Sequence, residues 1–271
     1  MINYNGKLLT PLDEFSLNRG FYYADAVFET IKISNGKISF LEDHYFRLMA
    51  SMRILRMRIP NYFTMEWMAE EIFKTTQEAN ARVKIVVYRD ASGYYTPSTN
   101  EVSYVIEVTS LADNKYSLTE SSSYEVELYK DFYIPANLLS TIKSTNKQVQ
   151  VLAAVFAKEN DYQNCFLLNE HKNVVEAING NIFMFKDKEL VTPPLSDGAL
   201  NGIIRKQLLQ KKEIENIKIL EKTISTFDLQ LSEEMFITNT IQGVIPITKY
   251  RKKEFSSKMA PLVVDYLNTL I

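Results

Sequence analysis

Lys143, in the stretch STIKSTNKQVQ, is a residue whose type and position suit covalent chemistry. A lysine amine can form an imine with a carbonyl group if the amine is deprotonated near neutral pH, and desolvation favours that neutral form. The apolar neighbours Leu138, Leu139 and Ile142 offer such an environment. A solvated charge on a loop is the common alternative, and composition alone leaves both interpretations open.

Two further charged residues interrupt apolar patterns. Arg47 lies at the edge of the apolar face of a helix predicted from Leu41, where it either covers the core with its stem or binds an anion such as phosphate. Glu176 lies between Val175 and Ala177 in a strand-like run. Its carboxylate either faces solvent or is buried with a partner such as a protonated ring nitrogen.

Two glycine- and hydroxyl-containing segments could bind an anion. DGALNGIIRKQ opens a predicted helix with Gly198 and Gly202 near its start, where free N–H groups and the helix dipole favour phosphate. Residues 238–240, Thr-Asn-Thr, follow a predicted strand and form either a polar cradle or a simple turn. Taken together, the lysine, arginine, carboxylate and helix start describe a site for pyridoxal phosphate (PLP), which has an aldehyde, a pyridine nitrogen and a phosphate.

The composition excludes several other kinds of site. The chain has 271 residues, 46% hydrophobic and 24% charged, with a net charge of -2, so no basic field for nucleic acid and no polybasic membrane signal is expected. The start has no apolar signal segment and no run approaches a membrane span, so a cytoplasmic location is expected. With one cysteine, Cys165, and two histidines, a disulfide framework and a multi-histidine metal site are not expected. Cys165 itself is expected to be a buried, inert thiol.

The elements that must position these residues follow from periodicity. Strands are predicted at 2–9 and 31–40, the latter a hairpin turning at Asn35-Gly36, then at 82–90, 102–110, 124–129, 164–169, 173–178, 181–186, 233–239 and 243–247. Helices are predicted from Leu41 to Leu55 and at 65–79, 146–159, 201–211 and 257–270. The pattern predicts an α+β protein with an α/β N-terminal domain (1–115), a linker (116–123) and a β-rich C-terminal domain with flanking helices (124–271).

Five ordered motifs resemble the fold-type IV PLP enzymes, also called class IV aminotransferases. They are NRGFYYADAVFETIKISNGKISFLEDHYFRL, IKSTN, VVEAINGNIFMFKDKELVTPPL, GALNGIIR and ITNTIQGVIPI. The resemblance covers almost the whole chain and implies a two-domain fold like that of D-amino acid aminotransferase, a PLP cofactor and a homodimer. It implies that Lys143 is the imine-forming catalytic lysine. The other cofactor-binding residues that it implies are Arg47, Glu176, Asn181, Gly202, Ile203, Ile204 and Thr240.

Within this family the sequence resembles the 4-amino-4-deoxychorismate lyases most, with amino acid aminotransferases of the branched-chain or D-amino acid type as the alternative. ITNTIQGVIPI is similar to the lyase form T-N-[ST], NGIIR carries an asparagine as some lyases do, and RDASGYYTPS lacks the Arg-x-His carboxylate trap of the D-amino acid enzymes. Candidate substrate contacts are Tyr94, Tyr95 and Thr96. YADA in place of Y-G-D-G and Lys147 in place of a tyrosine depart from the family pattern. The lyase-like G-R-G-Y loop appears as Ser92-Gly93-Tyr94-Tyr95, without its arginine.

Overall fold

The computed structural model describes residues 2–9, 18–118 and 123–271, and these residues form two compact units. The first holds the described part of Met1–Lys115 together with Ile142–Asn146 and Ile271, and the second holds the described part of Tyr116–Thr141 together with Lys147–Leu270. Part of the predicted linker, 119–122, lies outside the described residues. The segment that carries Lys143 therefore belongs to the first unit, although it lies far along the chain.

The first unit is a six-stranded sheet with two longer helices. Its elements are β1 (Ile2–Tyr4), β2 (Lys7–Leu9), α1 (Arg19–Tyr23), β3 (Ala26–Ser34), β4 (Lys37–Ile38), α2 (Leu41–Ile54), α3 (Met65–Thr75), β5 (Ala81–Arg89) and β6 (Val102–Ser110). The strand order is β2-β1-β6-β5-β3-β4, with every pairing antiparallel. The predicted hairpin is confirmed: Asn35 and Gly36 both have positive φ, as a two-residue turn between twisted strands requires.

One face of this sheet forms the core of the first unit. Alternate residues of β3 and β5, including Val27, Ile31 and Ile85, pack against the apolar faces of α2 and α3. The predicted face of α2 is confirmed, since Leu48, Met49 and Met52 are buried in the same core. The helix predicted at 65–79 ends earlier, at Thr75, because Thr76 is extended.

The second unit contains two six-stranded sheets. Its elements are β7 (Glu125–Leu128), α4 (Leu138–Thr141), α5 (Gln148–Glu159), β8 (Asn164–Leu168), β9 (Asn173–Ala177), β10 (Asn181–Lys186), β11 (Glu189–Thr192), a 3₁₀ turn (Leu195–Asp197), α6 (Ile203–Lys211), β12 (Glu213–Ile214), β13 (Ile217–Glu221), β14 (Ile224–Ser225), α7 (Asp228–Leu231), β15 (Glu234–Asn239), β16 (Gly243–Pro246), β17 (Lys249–Tyr250), β18 (Lys253–Glu254) and α8 (Met259–Asn268). The strand orders are β12-β13-β11-β10-β15-β16 and β14-β9-β8-β7-β17-β18.

The two sheets of the second unit share an apolar core. Phe166 and Leu168 of β8 pack in it with Ile182 of β10 and Ile237 of β15. The opposite side chains of β8, Cys165 and Leu167, pack against α5, so every residue of this strand is buried. Cys165 is buried, as predicted, and burial raises the pKa of its thiol to about 12. No helix in the described parts of the chain is long and apolar enough to cross a bilayer.

Candidate functional site

In the first unit, Arg47 is held by a buried carboxylate. Its Nε donates to Oε1 of Glu29 at 2.7 Å and its Nη2 donates to Oε2 at 2.5 Å, a bidentate pair between α2 and β3. Glu29 points from the core face of β3, where only such a pairing makes a carboxylate tolerable. Arg47 is thus no snorkelling side chain: its guanidinium is fixed in one orientation.

His44 completes this cluster one helical turn before Arg47. Burial by itself raises the pKa of Glu29, but the charge and hydrogen bonds of Arg47, with a smaller contribution from His44, outweigh it and bring the pKa to about 2. The carboxylate is therefore ionised, so His44 Nδ1 carries the proton and donates to Oε2 at 2.6 Å. Burial lowers the pKa of His44, and the positive charges of Arg47 and Lys143 act in the same direction.

Lys143 lies in an extended segment beside β3, before the start of α5. The amide of Phe28 donates to the carbonyl of Lys143 at 2.8 Å, and Val27 and Ser144 form an antiparallel bridge. The half-buried side chain places its Nζ 4.5 Å from the centroid of the Phe28 ring. The backbone of Lys143 is fixed by the sheet, and its amine lies against an aromatic ring. Of the three apolar neighbours expected to surround it, Ile142 is buried, but Leu138 and Leu139 are 61% and 58% exposed, so that expectation is wrong for the two leucines.

The loop after β5 carries the three candidate substrate contacts. Tyr94 and Tyr95 are 84% and 90% exposed, and Thr96 is exposed as well. Arg19 fixes the loop by donating from Nη1 to the carbonyls of Gly93 and Tyr94. The loop is held at its backbone and presents its side chains outward.

In the second unit, Glu176 is buried and both of its oxygens accept hydrogen bonds. Gln150 Nε2 of α5 donates to Oε1 at 2.9 Å, and the amide of Leu200 donates to Oε2 at 3.3 Å. The side chain is 6% exposed, so the solvent-facing alternative for Glu176 is wrong. A buried carboxylate with oriented lone pairs is suited to accept a further hydrogen bond from a cationic donor.

Asn181 and Gly202 also lie next to Leu200. Asn181 Nδ2 donates to the carbonyl of Leu200 at 2.8 Å. Gly202 is the N-cap of α6, and a Cβ built on it would lie 1.9 Å from Oδ1 of Asn181. Glu176, Asn181 and Gly202 are therefore gathered around one residue, Leu200, although they are well separated in sequence.

The start of α6 has the features of an anion site. Gly202 provides no side-chain cap, and the first turn, which begins with Ile203 and Ile204, contains no acidic residue. The N–H groups of a first turn have no partners within the helix and favour an anion. Thr238, paired with Asn181 in the register of β10 and β15, has a buried Oγ1 without a hydrogen-bond partner among the described residues.

Thr240 lies in the turn after β15. Its carbonyl accepts a hydrogen bond from the hydroxyl of Tyr116 at 2.8 Å. Asn239 closes the turn, since its Oδ1 accepts from the amides of Ile241 and Gln242. The Thr-Asn-Thr segment is thus a structured turn anchored by an aromatic residue.

Comparison with known proteins decides between the possible uses of such groups. The family model described as amino-transferase class IV matches residues 26–250. The chain belongs to the class IV aminotransferase family.

Relatives within this family differ in activity. The chain is 25% identical over 233 residues to the aminodeoxychorismate lyase of Vibrio harveyi, covering 85% of each protein. It is 26% identical over 241 residues to the D-alanine aminotransferase of Staphylococcus epidermidis, covering 86% of this chain and 82% of the relative.

The fold matches solved structures of the same family. The structure of the branched-chain amino acid aminotransferase from Thermobaculum terrenum in its PLP form superposes with a TM-score of 0.82 at 21% identity, covering 99% of this chain and 92% of that one. The chain therefore has the α+β fold of fold-type IV enzymes, and as a class IV aminotransferase it is a PLP-dependent enzyme.

The residues present fit this cofactor. Glu176 offers a buried, oriented carboxylate for a protonated pyridine nitrogen. The start of α6, with no acidic side chain in its first turn, suits a phosphate, as does the buried Oγ1 of Thr238, which has no hydrogen-bond partner among the described residues. No cluster of metal-ligating side chains occurs in the described part of the chain.

The sequence reasoning missed Glu29, His44 and Gln150. A signal existed for two of them. Glu29 interrupts the alternating apolar positions of β3, and Gln150 shares a helix face with Ala153 and Ala157, which are buried. A polar residue within a buried periodic stripe is the same signal that singled out Glu176.

Proposed function

We propose that this enzyme is a 4-amino-4-deoxychorismate lyase, which releases 4-aminobenzoate and pyruvate. The observation that carries the proposal is a second lysine, Lys84, against the aromatic ring that Lys143 contacts. Lys84 Nζ lies 5.5 Å from the centroid of the same Phe28 ring that Lys143 contacts.

Lys84 faces the side of the sheet that α2 and α3 leave uncovered. It pairs with Thr30 in the register of β3 and β5, so it shares a face with Phe28, two residues along the strand. Two cationic groups therefore lie against one half-buried ring. The lyase substrate carries two carboxylates, one on the ring and one on the enolpyruvyl group, whereas a branched-chain amino acid carries one. A second cation on the ring that the reactive amine contacts suits the dianion better.

The turn after β15 supports the same choice. The Thr-Asn-Thr form resembles the lyase sequence, and the Oδ1 of Asn239 makes the two hydrogen bonds that close this turn. The loop after β5 lacks the Arg-x-His pair that serves as the carboxylate trap in the D-amino acid enzymes. We propose that Tyr94, Tyr95 and Thr96 contact substrate from this loop.

Each proposed cofactor residue has a separate task. When bound, the cofactor supplies an aldehyde for an imine and a ring that accepts an electron pair. Lys143 Nζ provides the amine for that aldehyde and removes the proton from the substrate carbon that bears the amino group. Glu176 keeps a proton on the pyridine nitrogen, and Asn181 fixes the backbone at Leu200 beside it.

The phosphate is assigned to the remaining residues. In the second unit, the amides of Ile203 and Ile204 after Gly202, together with Thr240, are the proposed phosphate ligands. In the first unit, the resemblance to the family gives Arg47 the same task. Glu29 and His44 keep the guanidinium of Arg47 in one orientation.

The second candidate function is an aminotransferase acting on a branched-chain or D-amino acid. The similarity to the Staphylococcus epidermidis D-alanine aminotransferase favours it. The same lysine, carboxylate and phosphate site serve both reactions, so contacts with the substrate decide between them. An aminotransferase passes the amino group to a keto acid, whereas a lyase does not need one.

The test uses purified protein loaded with PLP. It is given 4-amino-4-deoxychorismate, and 4-aminobenzoate and pyruvate are measured. In parallel, branched-chain and D-amino acids are offered with keto acid acceptors. We expect equal amounts of the two lyase products and no requirement for a keto acid.

Three variants sharpen the result. Lys143→Ala should lower the lyase rate by at least about 100-fold. Lys84→Met should raise KM by about tenfold or more while leaving the cofactor bound, since an ionic hydrogen bond contributes about 1.5–3 kcal/mol. Lys186→Ala, at a lysine paired with Asp228, should leave both unchanged. Amino transfer without 4-aminobenzoate would contradict the lyase proposal and establish the aminotransferase.

A further inference from the structure

We infer that Gln150 is a positioning residue that fixes the carboxylate of Glu176 in the orientation needed to face the pyridine nitrogen of the cofactor. This inference rests on the role of Glu176 in the proposed function. Gln150 does not belong to any of the motifs that resemble the family, and it is assigned here from its contacts alone.

The hydrogen bonds of Glu176 divide between its two oxygens. Oε1 accepts from Gln150 Nε2 at 2.9 Å, and Oε2 accepts from the amide of Leu200 at 3.3 Å. One donor on a single oxygen would leave the carboxylate able to turn about its last torsion angle. Two donors from different elements, α5 and the loop before α6, define its plane and leave the remaining lone pairs for another donor.

Gln150 is itself held in place. It is 9% exposed and belongs to the buried stripe of α5 with Ala153 and Ala157. Those alanines pack against Cys165 and Leu167 of β8. A long amide side chain beside small residues at a tightly packed helix face has little freedom to choose another rotamer. The helix therefore holds Nε2 of Gln150 at a defined position.

A purely structural role gives different expectations. If Gln150 only satisfied a buried acid, its loss would lower the stability of the apoprotein and leave cofactor binding to the folded protein unchanged. If it positions Glu176, its loss should weaken binding of the pyridine ring and change the pH dependence of the bound cofactor's visible absorption, because Glu176 would no longer hold the ring proton in a fixed geometry.

The variants follow from this contrast. Gln150→Met keeps the length of the side chain and removes the donor. Gln150→Glu places a second carboxylate against Glu176. Gln148→Met, at an exposed glutamine on the same helix, is the matched control. Glu176→Gln provides the background in which a residue acting through Glu176 should have no further effect.

The experiment measures the Kd of each folded apoprotein for PLP and for 4′-deoxypyridoxine 5′-phosphate, which has no aldehyde and so reports the ring and phosphate contacts without Lys143. Absorption of the PLP-loaded proteins is followed from pH 5 to 9, and thermal unfolding of the apoproteins is recorded. We expect Gln150→Met to raise both Kd values about tenfold and to move the midpoint of the absorption change, with a larger effect for Gln150→Glu and none for Gln148→Met.

The outcomes separate this inference from the proposed function. If Glu176→Gln weakens binding but Gln150→Met does not, Glu176 has its proposed role and the inference about Gln150 is overturned. If Glu176→Gln binds both ligands as tightly as the unchanged protein, the proposed role of Glu176 fails and the inference falls with it. If Gln150→Met weakens binding equally in the Glu176→Gln background, Gln150 does not act through Glu176 and the inference is also overturned. Should Gln150→Met fail to fold, Gln150→Asn, which shortens the amide and withdraws the donor, carries the same expectations.

Discussion

Replacing Gly202 with alanine should force apart the residues that close the start of α6. The added Cβ would lie 1.9 Å from Oδ1 of Asn181, far inside contact distance. Asn181 is buried, and its Nδ2 donates to the carbonyl of Leu200 at 2.8 Å. The Asn181 side chain can move away from the added Cβ only by breaking that hydrogen bond, so the collision costs the protein a buried hydrogen bond.

The size of the effect follows from three contributions. A buried polar group left without its partner costs about 1–3 kcal/mol, and alanine is a poorer N-cap than glycine by about 1 kcal/mol. Backbone strain adds nothing, since the φ of Gly202 is -71°. We therefore expect Gly202→Ala to lower the free energy of unfolding by about 2–4 kcal/mol. In the double variant with Asn181→Ala the clashing oxygen is gone, so the second change should cost only about 1 kcal/mol.

The assay is urea unfolding of the four apoproteins of this double-mutant cycle, followed by circular dichroism and extrapolated to water. Gly36→Ala is the control. Its Cβ would meet no atom within 4 Å, but its φ is +73°, so it costs about 1–2 kcal/mol through the backbone and should add independently to Asn181→Ala. If the losses of unfolding free energy for Gly202→Ala and Asn181→Ala are also additive within about 0.5 kcal/mol, then contact with Asn181 is not what excludes a side chain at position 202. That result would refute the reasoning.

Two further predictions concern the residues that support the site. The pKa of Glu29 is lowered to about 2, so its ionised form should contribute about 3 kcal/mol to stability above pH 4.5, and this contribution should be lost as pH falls towards 2. Urea unfolding across this range should show the free energy of unfolding falling with pH. Glu29→Gln should flatten that dependence while leaving Arg47 buried without its partner. Tyr116→Phe removes the hydroxyl that donates to the carbonyl of Thr240, so it should lower the free energy of unfolding by about 1 kcal/mol, and an unchanged urea midpoint would show that the hydrogen bond contributes nothing.

The sequence predicts those parts of the fold in which local pattern and tertiary environment agree. The apolar face of α2 is recognisable because its pattern repeats within one element, and the Asn35-Gly36 turn is recognisable from two adjacent residues. The strand predicted at 102–110 is confirmed as β6. The short strands β12 to β14 and the helices α1, α4 and α7 were not predicted. Each contains five residues or fewer, which is too short for a period to appear.

Boundaries near the site differed for a common reason. The helix predicted at 201–211 begins at Ile203, because Gly202 is extended and caps it. The helix predicted at 146–159 begins at Gln148, because the residues before it, 142–146, are held beside β3 by hydrogen bonds from Phe28 and Thr145. Both starts are set by contacts with residues distant in sequence, which a local pattern does not contain.

For the candidate site, too, some properties can be predicted from local sequence and others cannot. Residue types follow from the motifs, so the sequence identifies Lys143, Arg47 and Glu176 as candidates. Their orientation could not be assigned, because it depends on Glu29, at 18 residues from Arg47, and on Gln150, at 26 residues from Glu176. Neither supporting residue has a chemical property that marks it in isolation.

Gly202 shows why residue type and orientation need separate tests. From the sequence, a glycine at a helix start is explained by close approach of a phosphate; from the structure, it is explained by the close packing of Asn181. The first explanation predicts that Gly202→Ala weakens phosphate binding while the apoprotein stays as stable as before. The second predicts a loss of stability without any ligand, which Asn181→Ala largely relieves. Measuring the Kd for inorganic phosphate alongside the unfolding cycle distinguishes them. Because the collision of 1.9 Å exists before any ligand arrives, we expect the apoprotein to lose stability first and the weaker phosphate binding to follow from it.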